Sequence, residues 1–195
     1  MNFVHRRLCR SAQWRTVLEK FVVPSALADV QLGDDVLEIG PGGGLTTDLL
    51  RPHIARITAL EIHPPSAKKL AARFRGSNVT AVEGDASAMQ FADGQFSGVI
   101  SLHVLHHIPT PALQDRVLRE AWRVLKPGGA FVCIDSVNFH SLRMRLIHLA
   151  DKIAPVDPAT LSGRLEAAGF SEIHVDTNPF AFHVRASRPL TEERV

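Results

Sequence analysis

The segment Val36-Leu37-Glu38-Ile39-Gly40-Pro41-Gly42-Gly43-Gly44 constrains this chain more than any other. A short apolar run of strand type ends in glycines at 40, 42 and 44, and a helical segment opens at Leu45. Glycine permits the left-handed turns of a tight strand-to-helix reversal, and it lets a ligand lie against bare backbone. The N–H groups that open the following helix add a partial positive charge to that surface. Two common ligands are excluded by the details. A dinucleotide fingerprint needs glycine at position 45, which is Leu45, and the acid inside the strand, Glu38, is also unlike it. A phosphate-binding P-loop needs Gly-Lys-Ser/Thr after the glycines, and none follows.

Around this loop, apolar runs alternate with amphipathic segments. Strands are predicted at Asp35–Gly40, Ala55–Ile62, Asn78–Asp85, Ser97–His103 and Ala130–Val137. They are nearly continuous in Val, Ile and Leu, as strands buried on both faces of a parallel sheet must be. Helices are predicted between them at Leu45–His53, Pro65–Arg75 and Pro111–Leu125, the last stopped by Lys126-Pro127-Gly128-Gly129. A further helix spans Pro158–Ala168, and two strands, Ser171–Thr177 and Phe180–Ala186, flank Asn178-Pro179. Strands that close in sequence cannot be parallel neighbours, so the sheet finishes antiparallel. The expected fold is a doubly wound α/β sheet with right-handed crossovers. At 195 residues the chain fits one domain, residues 1–195, with a helical extension over 1–28 and an inserted segment over 138–156. An amphipathic helix, Ser11–Ala28, carries Trp14, Val17, Leu18 and Phe21 on one side, and Ser141–Ile153 has helical periodicity through Leu142, Leu146, Leu149 and Ile153.

Acids stand at the ends of the next two strands. Glu61 closes the second, where a carboxylate can accept from both hydroxyls of a ribose. Asp85, in Glu83-Gly84-Asp85-Ala86 after the third, can accept from an exocyclic adenine amine. Together these features point to an adenosyl nucleoside without phosphate.

With these motifs the chain resembles the class I S-adenosylmethionine-dependent methyltransferases. The carriers are Glu38–Gly44, Glu61, Gly84–Ala86, Val104–Ile108 and Leu125–Gly129, in the family's order over roughly residues 30–190. The resemblance implies a seven-stranded sheet with its last strand antiparallel. It implies that Glu38, Gly40, Pro41, Gly42, Gly43 and Gly44 flank the methionyl and ribose part of S-adenosylmethionine. Glu61 and Ile62 would then meet the ribose, Gly84, Asp85 and Ala86 the adenine, and Ser101 and Leu102 the sulfonium end.

A sulfonium methyl is already electrophilic, so positioning a nucleophile does most of the catalysis. An oxygen or nitrogen nucleophile also benefits from a base with pKa near 7, which histidine supplies. His103 follows the fourth strand and is the first candidate; His106 is the second, with His107 beside it organising the loop. Asp135-Ser136 ends the fifth strand and lines the same region, while His140, Arg143, Arg145 and His148 fall in the inserted cap. Two cysteines, Cys9 and Cys133, are too few for a thiolate zinc site, and no metal is expected.

A net charge of +2 argues against a nucleic-acid binder. Its basic excess lies at Arg6, Arg7, Arg10 and Arg15 and at Arg143 and Arg145, which suits an anionic small-molecule acceptor. Neither a secretory leader nor a spanning helix is predicted: the uncharged stretch Gly94–Gln114 holds three His, two Pro and two Gly. The expectation is a cytoplasmic enzyme that methylates a small molecule, chiefly at oxygen. An RNA or protein methyltransferase and an inactive cofactor-binding protein are the competing readings; a nicotinamide oxidoreductase is disfavoured by Leu45.

Overall fold

The computed structural model describes residues 11–137, 139, 146, 149 and 151–190. Arg6, Arg7, Cys9, Arg10, His140, Arg143, Arg145 and His148 lie outside the described residues. The seven strands are β1 (Asp35–Ile39), β2 (Arg56–Glu61), β3 (Val79–Glu83), β4 (Phe96–Leu102), β5 (Leu125–Ser136), β6 (Ser171–Thr177) and β7 (Ala181–Ser187). They form one sheet in the order β3-β2-β1-β4-β5-β7-β6. The first five strands are parallel, and β7 runs antiparallel to both β5 and β6. The hairpin β6–β7 inserts its second strand beside β5, so the antiparallel strand is the last in the chain but not at the sheet edge.

Two helical layers cover the sheet, and side-chain alternation explains why the strands read as continuous apolar runs. One face receives Leu37, Ile39, Val99, Phe131 and Cys133 under α5 (Pro111–Val124) and α6 (Leu161–Ala168). The other receives Val36, Ile100, Leu102, Val132 and Ile134. There they meet α1 (Ala12–Val17), a π-helical turn at Leu18–Val22, α2 (Val23–Leu27), α3 (Leu45–Leu50) and α4 (Pro64–Arg73). Each fully buried aliphatic or aromatic side chain contributes about 1.5–3 kcal/mol. Cys133 is among them, and burial pushes its thiol well above the ordinary range.

Three local differences from the sequence expectation have physical causes. The N-terminal segment starts on Ser11, whose side chain accepts from the Trp14 N–H, but its middle is π-helical, which moves Phe21 outward to 67% exposure. The Lys126-Pro127-Gly128-Gly129 stretch belongs to β5, because Leu125 already pairs with Phe96 before a bulge in the register. Residues 151–157 run irregularly, so the helical periodicity does not extend to Ile153. Among the described residues no helix is long and apolar enough to cross a membrane.

Candidate active site

The strand order reverses between β1 and β4, and the crevice outside their carboxyl ends is where open α/β sheets place ligands. One wall is the glycine loop. Gly40, Gly42 and Gly44 all have positive φ, at 67°, 55° and 78°. At Gly40 a Cβ would also lie 2.7 Å from Val104, so the loop after β4 fits against the loop after β1 with no space for a side chain. At Gly42 a Cβ would meet nothing within 4 Å; glycine there answers the backbone angle alone, and that side is open.

Glu38 is buried, and both its oxygens are taken: Thr46 Oγ1 donates to one and Thr47 Oγ1 to the other at 2.6 Å. The carboxylate thus ties the strand to the first turn of α3. Burial raises its pKa to about 7, against the two hydroxyl donors and with some help from Asp48. Glu61, also buried, accepts from the Gly42 N–H at 3.0 Å and from the His63 N–H at 2.9 Å. Each of its oxygens keeps a lone pair for a further donor. Beside it Ile62 is 66% exposed, an apolar surface at the strand tip. Gly84 packs under Leu60, and its N–H donates to the Glu61 carbonyl at 3.1 Å. Asp85 is exposed and accepts from the Ser87 N–H at 2.7 Å, which shapes the turn where Ala86 packs on the core.

The other wall comes from the tips of β4 and β5. Ser101 and Leu102 stand at the tip of β4, next to the crevice. Ser101 is buried beside Cys133 and Leu102 lies in the core on the opposite face, because both sides of this sheet are covered. His103 follows them with φ of 59°, a left-handed conformation uncommon outside glycine. Its ring meets Trp14 edge-on at 5.1 Å, and Nδ1 lies 3.2 Å from Ser136 Oγ. Nε2 is buried without a hydrogen-bond partner. Burial, with the neighbouring His106, depresses its pKa to about 4 despite Asp135, so the ring is neutral at physiological pH.

His106, in a 3-10 turn at Leu105–His107, has the more elaborate surroundings. Its Nδ1 lies 2.5 Å from Asp135 Oδ1, and its backbone N–H donates to Asp135 Oδ2 at 2.9 Å. Asp135 is fully buried and also accepts from the Ser136 N–H at 2.6 Å. Burial alone would raise its pKa, but His106 and then His103 hold the carboxyl below its ordinary range. An ionised carboxylate only accepts, so Nδ1 carries a hydrogen and Nε2 is the basic nitrogen of His106. The His106 ring lies 4.0 Å from that of His107 and 5.0 Å from that of Phe139.

A buried glutamine fixes this loop. Gln114 Nε2 reaches the carbonyls of Leu105 at 3.1 Å, Ile108 at 3.3 Å and Ala154 at 2.8 Å, and the Ala154 N–H donates to the His106 carbonyl at 2.8 Å. Arg164 in turn donates to Gln114 Oε1 at 3.1 Å and to Asp115 at 2.6 Å. Sequence reasoning noticed Asp135 but could not pair it with His106, and it passed over Gln114, which reads as an ordinary polar helix residue.

A methyltransferase-domain family model matches residues 37–133, the stretch from β1 to the middle of β5. The chain belongs to the class I S-adenosylmethionine-dependent methyltransferases. Among the relatives of this chain is the 2-methyl-6-phytyl-1,4-hydroquinone methyltransferase of Synechocystis. It is 35% identical over 138 residues, covering 69% of this chain and 38% of the relative. Another is the ubiquinone biosynthesis O-methyltransferase of Pseudomonas aeruginosa, 31% identical over 109 residues, covering 54% and 45%. The chain spans about half the length of the curated relatives it matches. A solved structure from Pyrococcus horikoshii has the same fold, with a TM-score of 0.75, 20% identity and 92% coverage of each chain.

Proposed function

We infer that this methyltransferase moves the methyl group of S-adenosylmethionine to a hydroxyl of a small-molecule acceptor. The observation that carries the reading is the buried Asp135–His106 pair, which stands on the loop that fits against the glycine turn through Val104 and Gly40. The residues around the crevice suit the cofactor. Gly42 offers open backbone, Glu61 has lone pairs for hydroxyl donors, Ile62 offers an apolar platform, and Asp85 is an exposed acceptor beside Ala86. Glu38 serves this site by anchoring the loop, and Gly40, Pro41, Gly43 and Gly44 by shaping it. Ser101 and Leu102 contribute backbone at the tip of β4. When bound, the cofactor supplies an activated methyl on sulfur.

The chain's own residues handle the proton. His106 Nε2 accepts it from the acceptor hydroxyl as the oxygen attacks, and Asp135 holds the Nδ1–H and stabilises the imidazolium that forms. His103, neutral and half-buried, accepts or donates a hydrogen bond that orients the acceptor; it is the alternative base. Residues 138–156 act as the acceptor cap, since the described flanks Val137 and Ala154 both lie at the carboxyl ends of the parallel strands. Hydroxylated aromatic acceptors are the first choice, because the names of two relatives point to quinol chemistry.

The test is a transfer assay with a labelled methyl donor against hydroxylated aromatic, sugar and fatty-acid acceptors. Label on an aromatic oxygen, lost in Asp135→Asn, supports the reading. Label confined to nitrogen or carbon products, or unchanged turnover in Asp135→Asn, overturns it.

A further inference from the structure

Large apolar side chains are exposed in a pattern. Among the described residues Ile62 belongs to the crevice, and Leu190 lies against Gly128 near the start of β5, at the opposite end of the strands. The others are Val17 at 38%, Phe21 at 67%, Leu146 at 57%, Leu149 at 68% and Phe180 at 82% exposure. They fall on three segments around the mouth of the crevice. Val17 and Phe21 lie a turn apart on the N-terminal helix, whose Trp14 rests on His103. Phe180 tips the β6–β7 hairpin, and its carbonyl accepts from the Val137 N–H where β5 ends. Leu146 and Leu149 belong to the stretch that leaves from Val137 and returns at Ala154 on the His106 loop.

Charge has the same distribution. Arg15, Lys20 and Lys152 are exposed on these segments, with Glu19 and Asp151 the opposing carboxylates in their vicinity along the chain. The sequence adds Arg6, Arg7, Arg10, Arg143 and Arg145 to the same stretches, so residues 1–20 and 138–156 are strongly basic while the remainder of the chain is net acidic. Exposed aromatic and aliphatic side chains interleaved with Arg15, Lys20 and Lys152, on stretches whose sequence is basic in an otherwise acidic chain, match the surface of an anionic bilayer. A second copy of this chain would present the same positive charge and repel.

We propose that the crevice mouth is a peripheral docking face for an anionic lipid bilayer. Phe21, Phe180 and the cap leucines enter the headgroup region, and Arg15, Lys20 and Lys152 pair with lipid phosphates. Docking in this way delivers an acceptor with an apolar tail directly to His106; that consequence, unlike the docking itself, rests on the function proposed above.

Flotation of the full chain with phosphatidylcholine vesicles, with and without phosphatidylglycerol, tests it. The chain floats with the anionic vesicles at low salt and is released as salt rises. Phe21→Ser with Phe180→Ser weakens partitioning about tenfold or more, and Arg15→Glu with Lys20→Glu weakens it at least about fivefold. All variants keep the thermal shift given by S-adenosylhomocysteine. No flotation on anionic vesicles, or flotation indifferent to both double variants, overturns the proposal. So does a dimer that Phe180→Ser dissociates while flotation is absent, which assigns the apolar face to a second copy. If vesicles bind while S-adenosylhomocysteine gives no shift, the docking stands and the functional reading fails.

Discussion

The two walls of the crevice are built differently. The cofactor wall is made of backbone: three glycines in left-handed conformations, with Glu38 and Glu61 each occupied in holding N–H or hydroxyl groups of the loop. The acceptor wall is made of side chains that meet only after folding, His103 and His106 from the end of β4 against Asp135 and Ser136 from β5. On the proposed reading the first wall recognises a ligand shared by a whole family, so a short contiguous motif suffices, whereas the second has to suit one acceptor and draws its parts from distant stretches of chain.

If the walls are separable, changing one leaves the other's ligand alone. Asp135→Asn has the largest expected effect: turnover falls about 10²–10⁴-fold, while S-adenosylhomocysteine affinity by calorimetry stays within twofold. A parallel loss of cofactor affinity would join the walls and break the comparison.

Opposite pH dependence sharpens it next. Glu38 binds its proton more readily folded, with a pKa of about 7 against 4.5, so its contribution to stability falls as pH rises through that window. His103 is the reverse, about 4 folded against 6.5, so its contribution rises with pH. Between pH 4.5 and 6.5 the two slopes, each about 1 kcal/mol per pH unit, oppose one another. Denaturant unfolding of Glu38→Gln should therefore become more stable with rising pH relative to wild type, and His103→Asn less. Parallel slopes in the two variants would show that the buried groups do not titrate as their surroundings dictate.

Smaller effects belong to the cofactor wall. Gly40→Ala places a Cβ against Val104 at positive φ and is expected to cost about 1–3 kcal/mol of stability. A midpoint within error of wild type would mean that the turn relaxes freely. Glu61→Ala removes the acceptor for the Gly42 N–H and is expected to weaken cofactor binding by about 1–3 kcal/mol. Unchanged calorimetric affinity would remove its ribose role.

This contrast also explains what the sequence disclosed. The glycine loop, the strand-end acids and the strand rhythm were legible because each is a local pattern of a few residues. The start of β5 was not, since Leu125 becomes strand only by pairing with Phe96. The Asp135–His106 contact depends on the parallel register of β4 and β5, and the clamp by Gln114 on the return of the chain at Ala154. His103 stood first by its place after the strand; only in three dimensions does the Asp135 carboxylate at Nδ1 of His106, against the Ser136 hydroxyl at Nδ1 of His103, set the two apart.

The most direct measurement is calorimetric titration of the wild-type chain and Asp135→Asn with S-adenosylhomocysteine and with NAD. The account predicts equal S-adenosylhomocysteine binding by both proteins and no heat with NAD. Binding of NAD, or loss of S-adenosylhomocysteine binding in Asp135→Asn, would contradict it.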